Sequence, residues 1–190
     1  MKQLSIVNLL AARVAKFLFT DIRLSPLWLT LRVYIGWTWL HAGWEKLGNT
    51  AWTGDKAGTA IHGFVTGALQ KTSGAHPDVQ GWYADFLRSF VDNHTVLFSY
   101  LVTYGEMIVG IALILGLFTG LAALIGLFMN FNYLFAGTIS INPVMVLSGI
   151  FLVAAWRTAG WLGLDYFVFS RSTNANGIVP GKARLETFKN

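Results

Sequence analysis

The sequence contains four long runs of mostly apolar residues. They cover about residues 27–47, 95–118, 120–139 and 143–169. A helix that crosses a membrane needs about 20 mostly apolar residues, so each run has sufficient length. The pattern therefore predicts an all-α integral membrane protein built as a four-transmembrane-helix bundle.

Proline and glycine mark the ends of the predicted spans. Ser25-Pro26 and Asn142-Pro143 are typical of helix starts, where a polar cap precedes a proline at the first helical position. Thr119-Gly120 predicts a tight turn between the second and third spans, and Thr158-Ala159-Gly160 an interruption in the fourth. The predicted membrane domain therefore comprises residues 25–169.

The two ends of the chain are basic. Residues 1–24 mix apolar residues with Lys2, Arg13, Lys16 and Arg23, which predicts an amphipathic helix that lies in the membrane interface. Residues 170–190 form a second basic segment, with Arg171, Lys182, Arg184 and Lys189. We expect lipid to be the partner of the N-terminal segment.

One long connection, residues 48–94, links the first two spans. It predicts two short amphipathic helices, at 56–70 and 79–91, joined by a turn that contains Pro77. The second carries an apolar set at helical spacing, which consists of Trp82, Phe86, Leu87 and Phe90. We expect this helix to rest on the membrane surface and the connection to be the docking site of a second subunit.

Charge beside the spans predicts the orientation of the chain. Both terminal segments carry an excess of Lys and Arg, whereas residues 48–94 balance three basic residues with four aspartates. Because Lys and Arg favour the cytoplasmic side, both termini are predicted to be cytoplasmic and residues 48–94 to form an outer loop. The predicted location is the inner or plasma membrane.

Composition narrows the chemistry that is open to the chain. Only 12% of residues are charged and 54% are hydrophobic, whereas soluble domains carry about 25% charged residues. The net charge of +5 comes from residues outside the apolar runs, where the basic residues that anchor a membrane protein are found. Nucleic acid is therefore not an expected partner. The chain has no cysteine, which excludes iron-sulfur clusters and covalent c-type haem held by this chain alone.

The first span carries one face of glycine, tryptophan and basic residues. Arg32, Gly36, Trp39, Gly43 and Lys46 recur at helical spacing. Glycines on such a face allow close helix packing. The face is therefore either a packing seam, with Lys46 extended toward the interface, or the wall of a site that contains Arg32.

The second and third spans contain polar residues at mid-membrane depth. A carboxylate such as Glu106 is costly there unless it is paired, protonated or hydrated. Asn130 lies at a similar depth, in a stripe with Tyr133. We expect Arg32, Glu106 and Asn130 to form a buried polar cluster, which is either a structural hydrogen-bonded pair or a site for a quinone head group with Glu106 exchanging protons.

Further candidates lie near the ends of the spans. His41 and Glu45 are spaced i, i+4, which indicates either an ordinary interfacial pair or a proton-transfer pair. In the fourth span, Arg157 and Asp165 flank the Gly160 interruption and are either anchors or partners of other helices. The sequence shows no set of metal ligands at a recognised spacing.

The order and spacing of several short motifs resemble the DoxX/DoxD family. The resemblance spans residues 26–169 and is carried by five segments: Gly43 to Leu47, Gly105-Glu106 with Gly110 and Gly116, Met129-Asn130, Asn142-Pro143, and Gly160 to Asp165. That family includes the small membrane subunit of thiosulfate:quinone oxidoreductase. The resemblance implies a four-helix bundle, a partner subunit and a quinone, with site residues at Arg32, Lys46, Glu106, Asn130 and Asp165.

These observations lead to a ranked set of functional hypotheses. The first is the membrane subunit of a quinone-linked oxidoreductase, in which Glu106 exchanges protons, Arg32 tunes its carboxylate, and His41 and Glu45 transfer protons on the outer side. In this hypothesis the quinone head group binds among Asn130, Trp39, Lys46, Tyr133 and Asp165. The second is a non-catalytic anchor or assembly subunit of a larger respiratory or photosynthetic complex. A permease is the third and would require the chain to associate with itself, since the chain has only four spans and no evident repeat.

Overall fold

A computed structural model describes residues 2–168 of the chain, with side chains described from residue 7. Its helices are α1 (Lys2–Thr20), α2 (Ser25–Leu47), α3 (Thr50–Thr53), α4 (Thr59–Leu69), α5 (Gly81–Phe86), α6 (Thr95–Leu115), α7 (Thr119–Phe135), α8 (Asn142–Ala154) and α9 (Trp156–Ala159). The predicted all-α class is confirmed for these residues, among which no strand occurs. The predicted basic tail at 170–190 lies outside the described residues.

Helix ends follow the local sequence closely. Pro26 and Pro143 occupy the first turns of α2 and α8, as predicted. Helix α6 ends where Gly116 adopts φ +67°, a left-handed conformation that glycine adopts at little cost. The fourth predicted span is divided twice, because α8 ends at Ala154 and turns separate α9 from the helical residues 164–168.

The helix that precedes α6 is not a separate surface helix. The chain remains helical from Gly81 to Leu115, passing through a π-helical turn at Leu87–Val91 and a 3-10 turn at Asp92–His94. At 1.5 Å per residue this helix is about 52 Å long, which exceeds the ~30 Å thickness of a bilayer core. The expected apolar set is also split, since Leu87 is buried whereas Trp82, Phe86 and Phe90 are exposed.

Among the described residues, Gly81–Leu115 is the only helix that is long and apolar enough by itself to cross a membrane. Thr119–Phe135 and Asn142–Ala154 are apolar but shorter. Helix α2 has 23 residues, but Arg32 and its many aromatic and hydroxyl side chains lower its mean hydropathy. Length and hydropathy therefore identify one span in the structure.

Antiparallel packing of α2 against α6 forms the centre of the fold. Gly36 and Gly110 face each other so closely that a Cβ at Gly110 would lie 2.5 Å from the Leu40 nitrogen and 2.7 Å from the Gly36 oxygen. Small residues of this kind let helix backbones approach in membrane proteins. Buried Trp39, Val109 and Leu113 complete this part of the core.

The connection between α2 and α6 has its own apolar core. Ile61 and Val65 of α4 pack with Tyr83, Leu87 and other buried residues against the end of α7. The Lys71 ammonium donates to the Gly137 oxygen at 2.7 Å, which fastens the connection to the turn after α7. Residues 48–94 are therefore a folded cap on one end of the helices, hereafter the cap end.

Helix α1 lies against the opposite end. The Trp28 indole donates to the Leu18 oxygen at 3.1 Å, and the Thr158 hydroxyl donates to the Phe19 oxygen at 3.0 Å. Farther from this contact, Val7, Leu10 and Val14 are exposed. The segment is helical, as predicted, and its location in the membrane interface stays a prediction.

Candidate functional site

A buried polar centre joins α2, α6 and α7. The Lys46 ammonium lies 2.7 Å from Glu106 Oε2, and the Tyr133 hydroxyl donates to Glu106 Oε1 at 2.6 Å. The Glu106 side chain is 1% exposed and that of Lys46 is 18% exposed. Both carboxylate oxygens are therefore occupied, one by a cation and one by a hydroxyl, as a carboxylate at this depth requires.

Helix geometry explains why Lys46 points into the protein. Side chains on an α-helix lean toward the helix N-terminus. Lys46 is near the C-terminal end of α2, so this lean carries its ammonium back along the helix, where it also lies 3.4 Å from the Ala42 oxygen. The alternative that Lys46 extends outward to the interface is therefore wrong.

Aromatic residues surround the centre. The Trp39 and Tyr133 rings stack with centroids 6.4 Å apart, and Phe64 of α4 meets Tyr133 edge-on at 6.0 Å. Trp52 of α3 lies 5.1 Å from the Lys46 ammonium, at cation–π distance. Sequence patterns did not place Trp52 or Phe64 beside Lys46, Glu106 and Tyr133, because both come from the connection, whose packing against the helices depends on tertiary structure.

Asn130 is the polar residue in this region that lacks a complete set of partners. It is 1% exposed, and its Oδ1 atom has no hydrogen-bond partner among the described residues. On α7 it lies on the same face as Gly126 and Tyr133, and Gly126 packs against the Trp39 indole. An unsatisfied buried acceptor of this type costs about 1–3 kcal/mol and therefore calls for an explanation.

Arg32 does not join Glu106, so the expected cluster of Arg32, Glu106 and Asn130 does not form. Arg32 is 1% exposed and donates from its two terminal nitrogens to the Ala159 and Leu162 oxygens, each at 2.9 Å. It packs against Gly116, which lies about 15 Å along α6 from Glu106 at 1.5 Å per residue. Arg32 therefore cannot tune the Glu106 carboxylate by contact.

Asp165 belongs to the Arg32 end of the molecule. Its carboxylate accepts hydrogen bonds from the backbone nitrogens of Phe118 at 2.6 Å and Thr119 at 2.9 Å. These are free N–H groups at the start of α7, where a carboxylate is a favourable cap. The structure thus gives Asp165 a capping role and separates it from Lys46, Glu106 and Tyr133.

The remaining predicted residues lie at the surface. His41 and Glu45 approach to 3.7 Å, but their side chains are 57% and 69% exposed. Arg157 is exposed and covers the Trp156 ring at 4.9 Å. Exposed pairs of this kind contribute little to the free energy of unfolding, and neither pair contacts the buried centre.

The centre at Lys46, Glu106 and Tyr133 has the parts for proton exchange with a polar ligand. Glu106 can accept or donate a proton, Lys46 lies where it stabilises the charged carboxylate, and the Tyr133 hydroxyl holds one carboxylate oxygen in place. A carboxylate, an ammonium and a phenol in an apolar surrounding are also suited to bind a carbonyl or hydroxyl group, because few competing waters reach them.

Comparison with known proteins supplies one match. No curated protein and no solved structure matches the chain. A family model described as "TQO small subunit DoxD" matches residues 27–182, which is most of the chain and includes every member of the buried centre. The chain is thus a membrane protein and belongs to the DoxD family.

Proposed function

We propose that this chain is the membrane subunit of a quinone-linked oxidoreductase of the thiosulfate:quinone type. The observation that carries the proposal is the centre formed by Lys46, Glu106 and Tyr133, which places a proton-exchanging carboxylate in an apolar environment. Membership of the DoxD family supports the reaction type. Intramembrane ionisable residues also tend to serve function, since their burial is costly.

The residues around the centre are chemically suited to a quinone head group. Lys46 has a third N–H for a carbonyl oxygen, besides those directed at Glu106 and Ala42, and the Tyr133 oxygen and the unsatisfied Asn130 Oδ1 are acceptors for the hydroxyl of the reduced form. Trp39 supplies a flat apolar wall. A bound quinone supplies the capacity to accept two electrons and two protons.

In this proposal the chain handles protons and positioning, and the partner handles electrons. Glu106 delivers a proton to the reduced head group and takes up another, Lys46 holds the carboxylate in its charged form between these events, and Tyr133 keeps it oriented. Electrons from thiosulfate arrive through the partner subunit. Exchange of protons by a buried carboxylate is efficient because its partners are already in position.

The membrane arrangement is part of the same proposal. Four crossings, made by α2, α6, α7 and the interrupted segment from α8 onward, place both termini in the cytoplasm and the cap end outside. The partner subunit docks on residues 48–94. Support comes from the basic N-terminal segment, from the balanced charge of the connection, and from the compact fold of the cap.

The test is thiosulfate-dependent quinone reduction in membranes that contain the complete complex. Glu106→Gln removes the exchangeable carboxylate, and we expect a loss of about 10²–10⁴-fold in turnover, the usual contribution of general acid–base catalysis. Tyr133→Phe is expected to lower turnover less. Tyr104→Phe is the matched control, because Tyr104 is an exposed tyrosine on α6 and should leave turnover unchanged.

A non-catalytic anchor is the second candidate function. It is favoured by the exposed aromatic row of Trp82, Phe86 and Phe90, which lies on the cap-end extension of the long helix and offers surface for another subunit. Unchanged turnover in Glu106→Gln, with the complex intact, would support the anchor and reject the quinone site.

A further inference from the structure

We infer that Glu106 exchanges protons with the cap side of the membrane only, and that Lys46 is the residue through which this exchange passes. The inference rests on the proposed function, because it specifies the side served by the same carboxylate. It assigns Lys46 a role beyond neutralising charge. Its basis is the difference between the two directions that lead away from Glu106.

Toward the cap end, the polar route is short. Lys46 contacts Glu106 at 2.7 Å and is the partly exposed member of the pair, with 18% of its side chain accessible. On its outer side lie Trp52, which belongs to the connection, and the end of α2, which the connection follows. An ammonium that gives a proton to the carboxylate becomes a neutral amine, and the amine then takes up a proton from the accessible side, so a flexible lysine can carry protons between a buried carboxylate and the surface.

Toward the opposite end, apolar and backbone packing closes the route among the described residues. Val109 and Leu113 follow Glu106 on the same face of α6 and are 2% and 0% exposed. Gly36 and Gly110 bring the two backbones into contact at this level, which leaves no room for water between α2 and α6. The next charged group on this face of α2 is Arg32, which packs against Gly116, about 15 Å along α6 from Glu106.

Arg32 completes the closure at that end. Its terminal nitrogens are held by the backbone oxygens of Ala159 and Leu162, and Gly116 and Gly163 pack directly against its guanidinium. An arginine remains protonated under all ordinary conditions and so does not relay protons. In the inferred arrangement, Glu106 is therefore open to proton exchange toward the cap end and closed to it toward the opposite end.

The natural absence of cysteine makes this inference directly testable. Single-cysteine variants of the full chain in sealed vesicles are treated with a membrane-impermeant cationic thiosulfonate, added to one side at a time. Ser89→Cys marks the cap side and Arg23→Cys marks the opposite side, since both residues are exposed. Lys46→Cys and Glu106→Cys report on the route, and Leu113→Cys reports on the sealed layer.

We expect Lys46→Cys and Glu106→Cys to be modified from the side that modifies Ser89→Cys and to be protected from the side that modifies Arg23→Cys. Leu113→Cys should be protected from both. Modification of Glu106→Cys from the Arg23 side, or its protection from both sides, would overturn the inference.

Two further measurements keep the result interpretable. Each variant must elute as a monodisperse species after extraction, and if Glu106→Cys does not, Lys46→Cys together with Leu113→Cys decides between the two directions. The labelling result does not depend on turnover. If Glu106→Gln membranes are inactive and the cysteine variants are labelled from the cap side, both proposals are supported. If Glu106→Gln membranes are active, the proposed function is refuted, but labelling still shows from which side position 106 is reached.

Discussion

Close contact between α2 and α6 predicts that alanine at Gly110 destabilises the protein. A Cβ at this position would meet three backbone atoms within 2.8 Å: the Leu40 nitrogen and Cα and the Gly36 oxygen. Backbone atoms cannot rotate away as a side chain does. The helices must therefore separate by roughly 1 Å, which disturbs the packing of the whole interface.

Overpacking of this kind costs about 1–3 kcal/mol in protein interiors. Gly105→Ala is the matched control on the same helix, because a Cβ there would meet only the Met129 side chain, at 3.6 Å and 3.7 Å. Alanine favours a helix over glycine by about 1 kcal/mol, so the control should be neutral or stabilising. Because this gain in helix propensity applies to both variants, we expect them to differ by the overpacking cost alone, about 1–3 kcal/mol.

Reversible unfolding in mixed detergent, followed by far-ultraviolet circular dichroism, measures this difference. The free energy of unfolding should fall for Gly110→Ala and remain at or above the native value for Gly105→Ala. Equal stability of the two variants would refute the close approach of α2 and α6, and with it the sealed layer below Glu106.

Two other predictions concern the polar centres. Lys46→Met leaves Glu106 without its cation and should lower the free energy of unfolding by about 3 kcal/mol or less. The double variant Lys46→Met with Glu106→Gln should recover part of this loss in the same unfolding assay. A double variant less stable than Lys46→Met alone would contradict the pairing. Asp165→Ala removes the cap from the start of α7 and should lower the free energy of unfolding by about 0.5–2 kcal/mol. Asp165→Asn should lower it less, because the amide keeps an oxygen that accepts a hydrogen bond. Equal decreases in the two variants would argue against capping.

The sequence predicted the helical class and most helix starts because these depend on local signals. Apolar runs, Pro26 and Pro143 act within a few residues of where they occur. The π-helical turn at Leu87–Val91 was not predicted, since its effect is to continue a helix across polar residues that ordinarily mark a boundary. In the fourth segment the predicted interruption at Gly160 is present, whereas the earlier break after Ala154 was not predicted, since no proline or glycine marks it.

For the candidate site, the energetic cost of a carboxylate in the middle of an apolar run correctly identified Glu106 as a residue in need of partners. Sequence alone did not identify those partners. Arg32 and Lys46 lie on one face of α2, and either was a plausible partner until the register between α2 and α6 was known. That register is set by the contact of Gly36 with Gly110, which places Lys46 beside Glu106 and Arg32 beside Gly116. Long-range packing of this type leaves no signature in a single sequence.

Quinone bound to the purified protein is the most direct test of the proposed site at Lys46, Glu106 and Tyr133. The quinone content after gentle extraction is measured for the native chain, for Tyr133→Phe and for the control Tyr104→Phe. We predict bound quinone in the native and control proteins and loss of most of it in Tyr133→Phe. Equal quinone content in all three proteins, or none in the native protein, would contradict a head-group site at this centre.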